Sequence, residues 1–256
     1  MKIAIAGKGG VGKTSTSAWL ADYLARQGKK VFLVDADTAL SLGQASGLAK
    51  DALPVPLIQR QDLVKERIGA GFLNLNPDVE DLPETLGVDL EIDGPIEKEG
   101  GFKRLLVMGS VAQAGGGCAC AANSLLKALL AHLVLERNEW VIVDLEAGVE
   151  HLGRGVVSSV DGLLVVSEPS RRGLETAADI ARLASDLGLT KQALVLNRFN
   201  GNGTSIDIPH LPPIAGSMPV LDSLVERQLE STSVMGLEEQ EKLDRLCSEI
   251  LEKLSA

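Results

Sequence analysis

Residues Met1–Asp37 read MKIAIAGKGGVGKTSTSAWLADYLARQGKKVFLVDAD, and they decide the fold. Lys2–Ala6 is a short apolar run that ends in glycines. Thr14–Gln27 places Trp19, Leu20, Tyr23 and Leu24 on one helical face, and Gly28 follows where a helix C′ residue belongs. Lys30–Val34 is a second buried run ending at Asp35. Strand, glycine-rich loop, helix and strand make one βαβ unit, which predicts parallel strands joined by a right-handed crossover. The loop itself, Gly7-Lys8-Gly9-Gly10-Val11-Gly12-Lys13-Thr14, fits G-x-x-x-x-G-K-[ST]. Its glycines let backbone N–H groups wrap a phosphate chain, and the helix that follows adds the positive end of its dipole. In such a loop Lys13 reaches the β- and γ-phosphates and the Thr14 hydroxyl takes a place on Mg²⁺.

The rest of the chain extends that unit into an α/β domain. Arg104–Met108, Trp140–Asp144, Leu163–Val166 and Ala193–Leu196 read as buried strands, with Pro213–Ser217 as an edge strand. Asn123–Glu136, Gly173–Leu187 and Leu237–Leu254 read as helices. Residues 41–101 carry five prolines (54, 56, 77, 83 and 95) and crowd acidic residues into Asp78–Glu99, so they are expected to be short helices and loops over the sheet edge. The expectation is one P-loop domain over 1–256, with a mostly parallel twisted sheet of about seven or eight strands flanked by helices.

Composition narrows the function. The net charge of -10 opposes binding to nucleic acid, and no basic run interleaved with aromatics counters it. The first residues are too quickly interrupted by glycine for a secretory signal, and no apolar run has the length of a membrane span. With three cysteines of 256 residues, two of them one residue apart, the chain does not carry a secreted disulfide framework. A reducing cytoplasm is expected.

Those two cysteines lie in AGGGCACAANS, within a candidate metal-binding segment, 115–122. A pair spaced C-x-C brings only two sulfurs, whereas Zn²⁺ or Ni²⁺ ordinarily takes four donors. A two-fold dimer would bring four thiolates together, and a nearby helix N-terminus favours the thiolate form. The alternatives are that Cys118 and Cys120 are small core residues or, less readily, a strained redox pair. Cys247 shares an apolar stripe with Leu243, Ile250 and Leu254 and reads as core.

The loop begins with a second lysine, Lys8, and K-G-G-x-G-K-[ST] resembles the deviant Walker A loop of the MinD, ParA and nitrogenase-iron-protein ATPases. More of the chain is similar to one branch, the CooC-type ATPases that insert nickel into carbon monoxide dehydrogenase. The similarity rests on IAGKGGVGKT, FLNLNPDVE, GGxCxCxxNS, VDLEAGVEHLGRG, SEP at Ser167–Pro169, LASDLGL and LNR. The resemblance implies ATP sandwiched in a homodimer, with Lys8 crossing to the partner's nucleotide as an arginine finger does. It implies that Gly9 to Ser15 cradle the phosphates, that Asp37 orients the attacking water beside Mg²⁺, and that Asp144 is the Walker B carboxylate. Gly148 would offer its N–H to the γ-phosphate. Asn197, with Arg198 next to it, would read adenine, and Glu168-Pro169 would border the base. It further implies nickel, or zinc, held by Cys118 and Cys120 of two chains and delivered to the dehydrogenase catalytic subunit as ATP is hydrolysed. Delivery to acetyl-CoA synthase, or a MinD- or ParA-like positioning switch, is the alternative. The acidic C-terminal stretch LEEQEKLDRLCSEILEKLSA and the lack of a basic surface speak against membrane and DNA partners. The chain departs from the family at Thr38-Ala39, where Pro-Asp is usual, and Glu146 adds a carboxylate near the phosphates.

Overall fold

The computed structural model describes residues 1–69, 74, 76–109, 119–135, 139–146, 148, 160–201 and 206–255, with backbone alone at 119, 120, 122, 123, 126, 134 and 135. Among the described residues one eight-stranded sheet runs β3-β4-β2-β5-β1-β6-β7-β8. Its strands are β1 (Lys2–Ala6), β2 (Lys30–Ala36), β3 (Val88–Leu90), β4 (Phe102–Val107), β5 (Trp140–Leu145), β6 (Gly162–Ser167), β7 (Gln192–Asn197) and β8 (Ile214–Met218). All pairings are parallel except β3 against β4, an antiparallel edge.

The helices are α1 (Lys13–Arg26), α2 (Leu42–Ala45), α3 (Gln61–Ile68), α4 (Leu82–Leu86), α5 (Ala119–Leu135), α6 (Arg171–Asp186), α7 (Asp222–Arg227) and α8 (Gln240–Ser255). Two of these elements have no counterpart in the sequence reading. β3 is three residues long, too short for alternation to show, and α7 spans less than two turns. Helix α5 begins about a turn before the expected Asn123.

The strands read as continuous apolar runs because both faces are covered. Ala4, Phe32, Val34, Val143 and Val165 point into one core with α3, α5 and α6. Ile3, Ile5, Leu33, Ile142 and Leu164 alternate into the other, with α1 and α8. A buried charge cluster ties the second layer together. Asp22 and Arg26 of α1 and Lys103 of β4 are each 1% exposed. Asp22 accepts from Arg26 Nε at 3.0 Å, from Lys103 Nζ and from the Asp93 N–H at 2.8 Å. Arg26 also forks onto Asp244 of α8. Every charge in the cluster has an opposite partner, which is the condition under which such burial is tolerated.

Candidate functional site

The strands β1, β2 and β5 end side by side, and their carboxyl edge is where ligands bind in open parallel sheets. The loop leaving β1 is shaped by two backbone demands. Gly7 has φ 149° and passes so close to β6 that a Cβ there would lie 2.2 Å from the Val166 carbonyl oxygen. Gly12 has φ 100°, and a Cβ would lie 2.3 Å from Asn197 Nδ2. Only glycine fits either place. No side chain caps α1, so its first-turn N–H groups are available to a phosphate.

The loop opens on a cleft of about 460 Å³ whose walls include Gly9, Gly10, Lys13, Thr14, Asp37 and Glu146. Lys13 is 5% exposed; its Nζ donates to the Lys8 carbonyl at 3.4 Å and lies 4.0 Å from Asp37 Oδ2. The buried ammonium thus sits between the loop backbone and the first acidic residue after β2. Asp37 Oδ1 accepts from the Ala39 N–H at 2.9 Å and so holds its own turn, with Thr38 Oγ1 donating to the same oxygen at 3.4 Å. Lys8, Gly9 and Gly10 are exposed.

Thr14 Oγ1 donates to Asp144 Oδ2 at 2.7 Å. The other oxygen, Asp144 Oδ1, is buried and has no hydrogen-bond partner among the described residues. Burial pushes the Asp144 carboxyl up to about 6, against the pull of the Thr14 hydroxyl and the Lys13 charge. One cross-strand position away, Asp35 is paired with Asp144 in the β2–β5 register. Burial, followed by repulsion from Asp144, pushes Asp35 up to about 7, although the Leu42 and Asp37 N–H groups donate to it at 3.0 and 3.3 Å. The Thr14 hydroxyl, the Asp144 carboxylate with its unused oxygen and the Asp37 carboxylate at the cleft wall form an all-oxygen donor set suited to Mg²⁺.

The other side of the loop is closed by the ends of β6, β7 and β8. The Asn197 Nδ2 donates to the Val11 carbonyl at 2.8 Å, and its Oδ1 accepts from the Arg198 N–H at 3.0 Å. Arg198, with φ 56°, is ion-paired to Glu168 across the ends of β7 and β6. Pro169 follows at the surface, and Ser170 caps α6 by accepting from the Gly173 N–H at 3.1 Å. A narrow cavity beside Asn197 is walled by Trp19, Met218, Pro219, Val220 and Val225.

The structure therefore gathers Lys8, Lys13, Thr14, Asp37 and Asp144 at one sheet edge, with Asn197, Arg198 and Glu168 beside them. Gly148 is buried, and its neighbours 147 and 149 lie outside the described residues. Cys118 also lies outside them; Cys120 is in the first turn of α5, with its side chain outside the description. Cys247 is buried in the core, as its stripe predicts, and burial pushes its thiol well up. Sequence reasoning missed the Asp35–Asp144 pair. The signal was present, since both residues end strands in a parallel sheet, but adjacency of β2 and β5 is a fact of topology.

Comparison with known proteins gives the family. The model of the CobQ/CobB/MinD/ParA nucleotide-binding domain matches residues 2–234. The chain is 38% identical over 231 residues to the carbon monoxide dehydrogenase accessory protein CooC of Rhodospirillum rubrum, covering 88% of this chain and 83% of that one. The chain is a CooC-type ATPase of this family. An uncharacterized ATP-binding protein of Methanocaldococcus jannaschii is 41% identical over 204 residues, 77% of this chain and 75% of its own. Among solved structures, the MinC:MinD cell division protein complex of Aquifex aeolicus superposes with a TM-score of 0.68 at 20% identity, covering 98% of this chain and 96% of that one. That likeness carries the fold. Among the described residues, no helix of this CooC-type ATPase is long and apolar enough to cross a membrane.

Proposed function

We propose that this ATPase is a metallochaperone, which dimerises with nucleotide and inserts nickel into carbon monoxide dehydrogenase. The observation that carries the reading is the 38% identity to CooC over 88% of the chain. In this reading Gly9 to Ser15 hold the phosphates and Lys13 neutralises the β- and γ-oxygens. Thr14, Asp144 and Asp37 would hold Mg²⁺, which when bound would supply further positive charge at the phosphate oxygens. Asp37 positions the water that attacks the γ-phosphorus as the bond to the bridging oxygen of ADP breaks. Gly148 offers its N–H to the γ-phosphate. Lys8 stands exposed at the mouth of the loop, available to the nucleotide of a second copy. Asn197, Arg198, Glu168 and Pro169 form the base side. The cargo, Ni²⁺ or Zn²⁺, is held by Cys118 and Cys120 of both protomers, four thiolates in all, in the cytoplasm.

Metal stoichiometry and oligomer mass, measured without nucleotide, with ADP and with ATP, test the reading. One metal per dimer, changed by nucleotide and lost in Cys118→Ser/Cys120→Ser, is the expected result. Dimerisation by ATP with no cysteine-dependent metal would leave an ATPase switch without a metal cargo and would overturn the delivery role.

A further inference from the structure

The phosphate cleft and the narrow base-side cavity adjoin, and four residues line both: Gly12, Ser15, Arg198 and Gln228. In a nucleotide whose phosphates lie in one cavity and whose base lies in the other, the sugar must cross that junction. Gly12 has no side chain there, and Ser15 belongs to the first turn of α1, on the phosphate floor. Arg198 is already ion-paired with Glu168. Gln228 stands on a different element. It follows α7, which it ends by donating its N–H to the Leu224 carbonyl at 2.9 Å. Its carboxamide is exposed and has no partner among the described residues. A carboxamide both donates and accepts, as each hydroxyl of a ribose does.

We propose that Gln228 reads the sugar: its carboxamide meets the ribose hydroxyls at the junction of the two cavities and makes the ATPase select ribonucleotides over deoxynucleotides. This rests on the nucleotide site described above and adds to it a residue just past a helix outside the P-loop. A neutral hydrogen bond at an exposed site is worth about a factor of three to ten in affinity, so the selectivity is modest and measurable. Gln228 is exposed and lies one residue past the end of α7, so a short side chain at that position leaves the residues of the helix unchanged.

Isothermal titration of the full chain with Mg²⁺ and ATP, 2′-deoxy-ATP or 3′-deoxy-ATP tests this, comparing wild type with Gln228→Ala and Gln228→Glu. The wild type is expected to bind ATP about three- to tenfold more tightly than at least one deoxy analogue. Gln228→Ala should weaken ATP to the level of that analogue while leaving the analogue's own affinity unchanged. Gln228→Glu, which still accepts from a hydroxyl, should keep part of the preference. Equal binding of all three nucleotides by the wild type overturns the sugar assignment alone, as does a Gln228→Ala variant that weakens all three equally. Failure of the wild type to bind ATP overturns the nucleotide site and the assignment together.

Discussion

Replacing Asp35 by Asn should flatten the pH dependence of folding stability, and the size of the effect follows from where the carboxyl sits. Asp35 is fully buried beside Asp144, and its carboxyl is pushed from 3.8 up to about 7, first by burial and then by the neighbouring carboxyl. Between those two values the folded chain holds a proton that the unfolded chain has released. Stability contributed by the neutral form is therefore lost as pH rises toward 7, at about 1.4 kcal/mol per pH unit. From pH 5 to pH 7 that amounts to roughly 2 kcal/mol, because the slope flattens as the folded group begins to ionise, and the loss levels off by pH 8. Asn carries no charge at any of these pH values. It can keep the 3.0 Å bond from the Leu42 N–H, but it turns an amide toward the Asp37 N–H, which donates at 3.3 Å, and this costs about 1 kcal/mol at every pH. Urea unfolding of both proteins in EDTA, without nucleotide, at pH 5, 6, 7 and 8 reads the difference. The wild type should lose roughly 2–3 kcal/mol relative to Asp35→Asn between pH 5 and 8. Parallel pH profiles for the two proteins would refute the reasoning, because they would mean that Asp35 carries no excess proton in the folded state.

Gly7→Ala should lower stability by about 3 kcal/mol or more, since its Cβ would lie 2.2 Å from the Val166 carbonyl oxygen in a backbone conformation that disfavours side chains; thermal and urea unfolding measure it. Arg26→Met should cost about 3–5 kcal/mol by leaving the buried Asp22 with fewer counter-charges, and a loss under 1 kcal/mol would show that the cluster relaxes around the vacancy. Lys8→Ala should lower ATP turnover by about a thousandfold while ADP affinity stays within about twofold, because Lys8 is exposed in its own chain. Steady-state hydrolysis and titration with ADP separate the two effects.

What was legible in the sequence depended on how local the signal is. The run from Lys2 to Asp35 contains strand, loop, helix and strand within a few turns of chain, so motif and context appear together. The order of strands, the antiparallel edge at Val88–Leu90 and the short helix at Asp222–Arg227 are set by contacts between distant segments, and no periodicity records them. The site divides in the same way. Lys13 and Thr14 are fixed by the loop pattern, and Asp144 by its place at the end of an apolar run. The Asp35–Asp144 adjacency needs β2 beside β5, the hydrogen bond from Asn197 to Val11 needs β7 beside the loop, and Gln228 needs the end of α7 placed where the two cavities adjoin.

The geometry also separates binding from turnover within one chain. The phosphate side is preset: Lys13 is buried against the loop, Thr14 is bonded to Asp144, and two glycines hold conformations that no other residue fits. Those groups act on the ground state and the transition state alike, so they favour affinity more than rate. The groups that would act on developing charge are less committed. Asp37 spends one oxygen on its own turn, and Lys8 is exposed. Under the proposed function, a site built this way holds nucleotide in the single chain and gains its remaining positive charge from a second copy. Hydrolysis then reports assembly, and the rate per chain should rise with protein concentration rather than stay constant. A rate per chain independent of concentration across the range where mass measurements show monomer giving way to dimer would mean that Lys8 acts in its own chain or not at all.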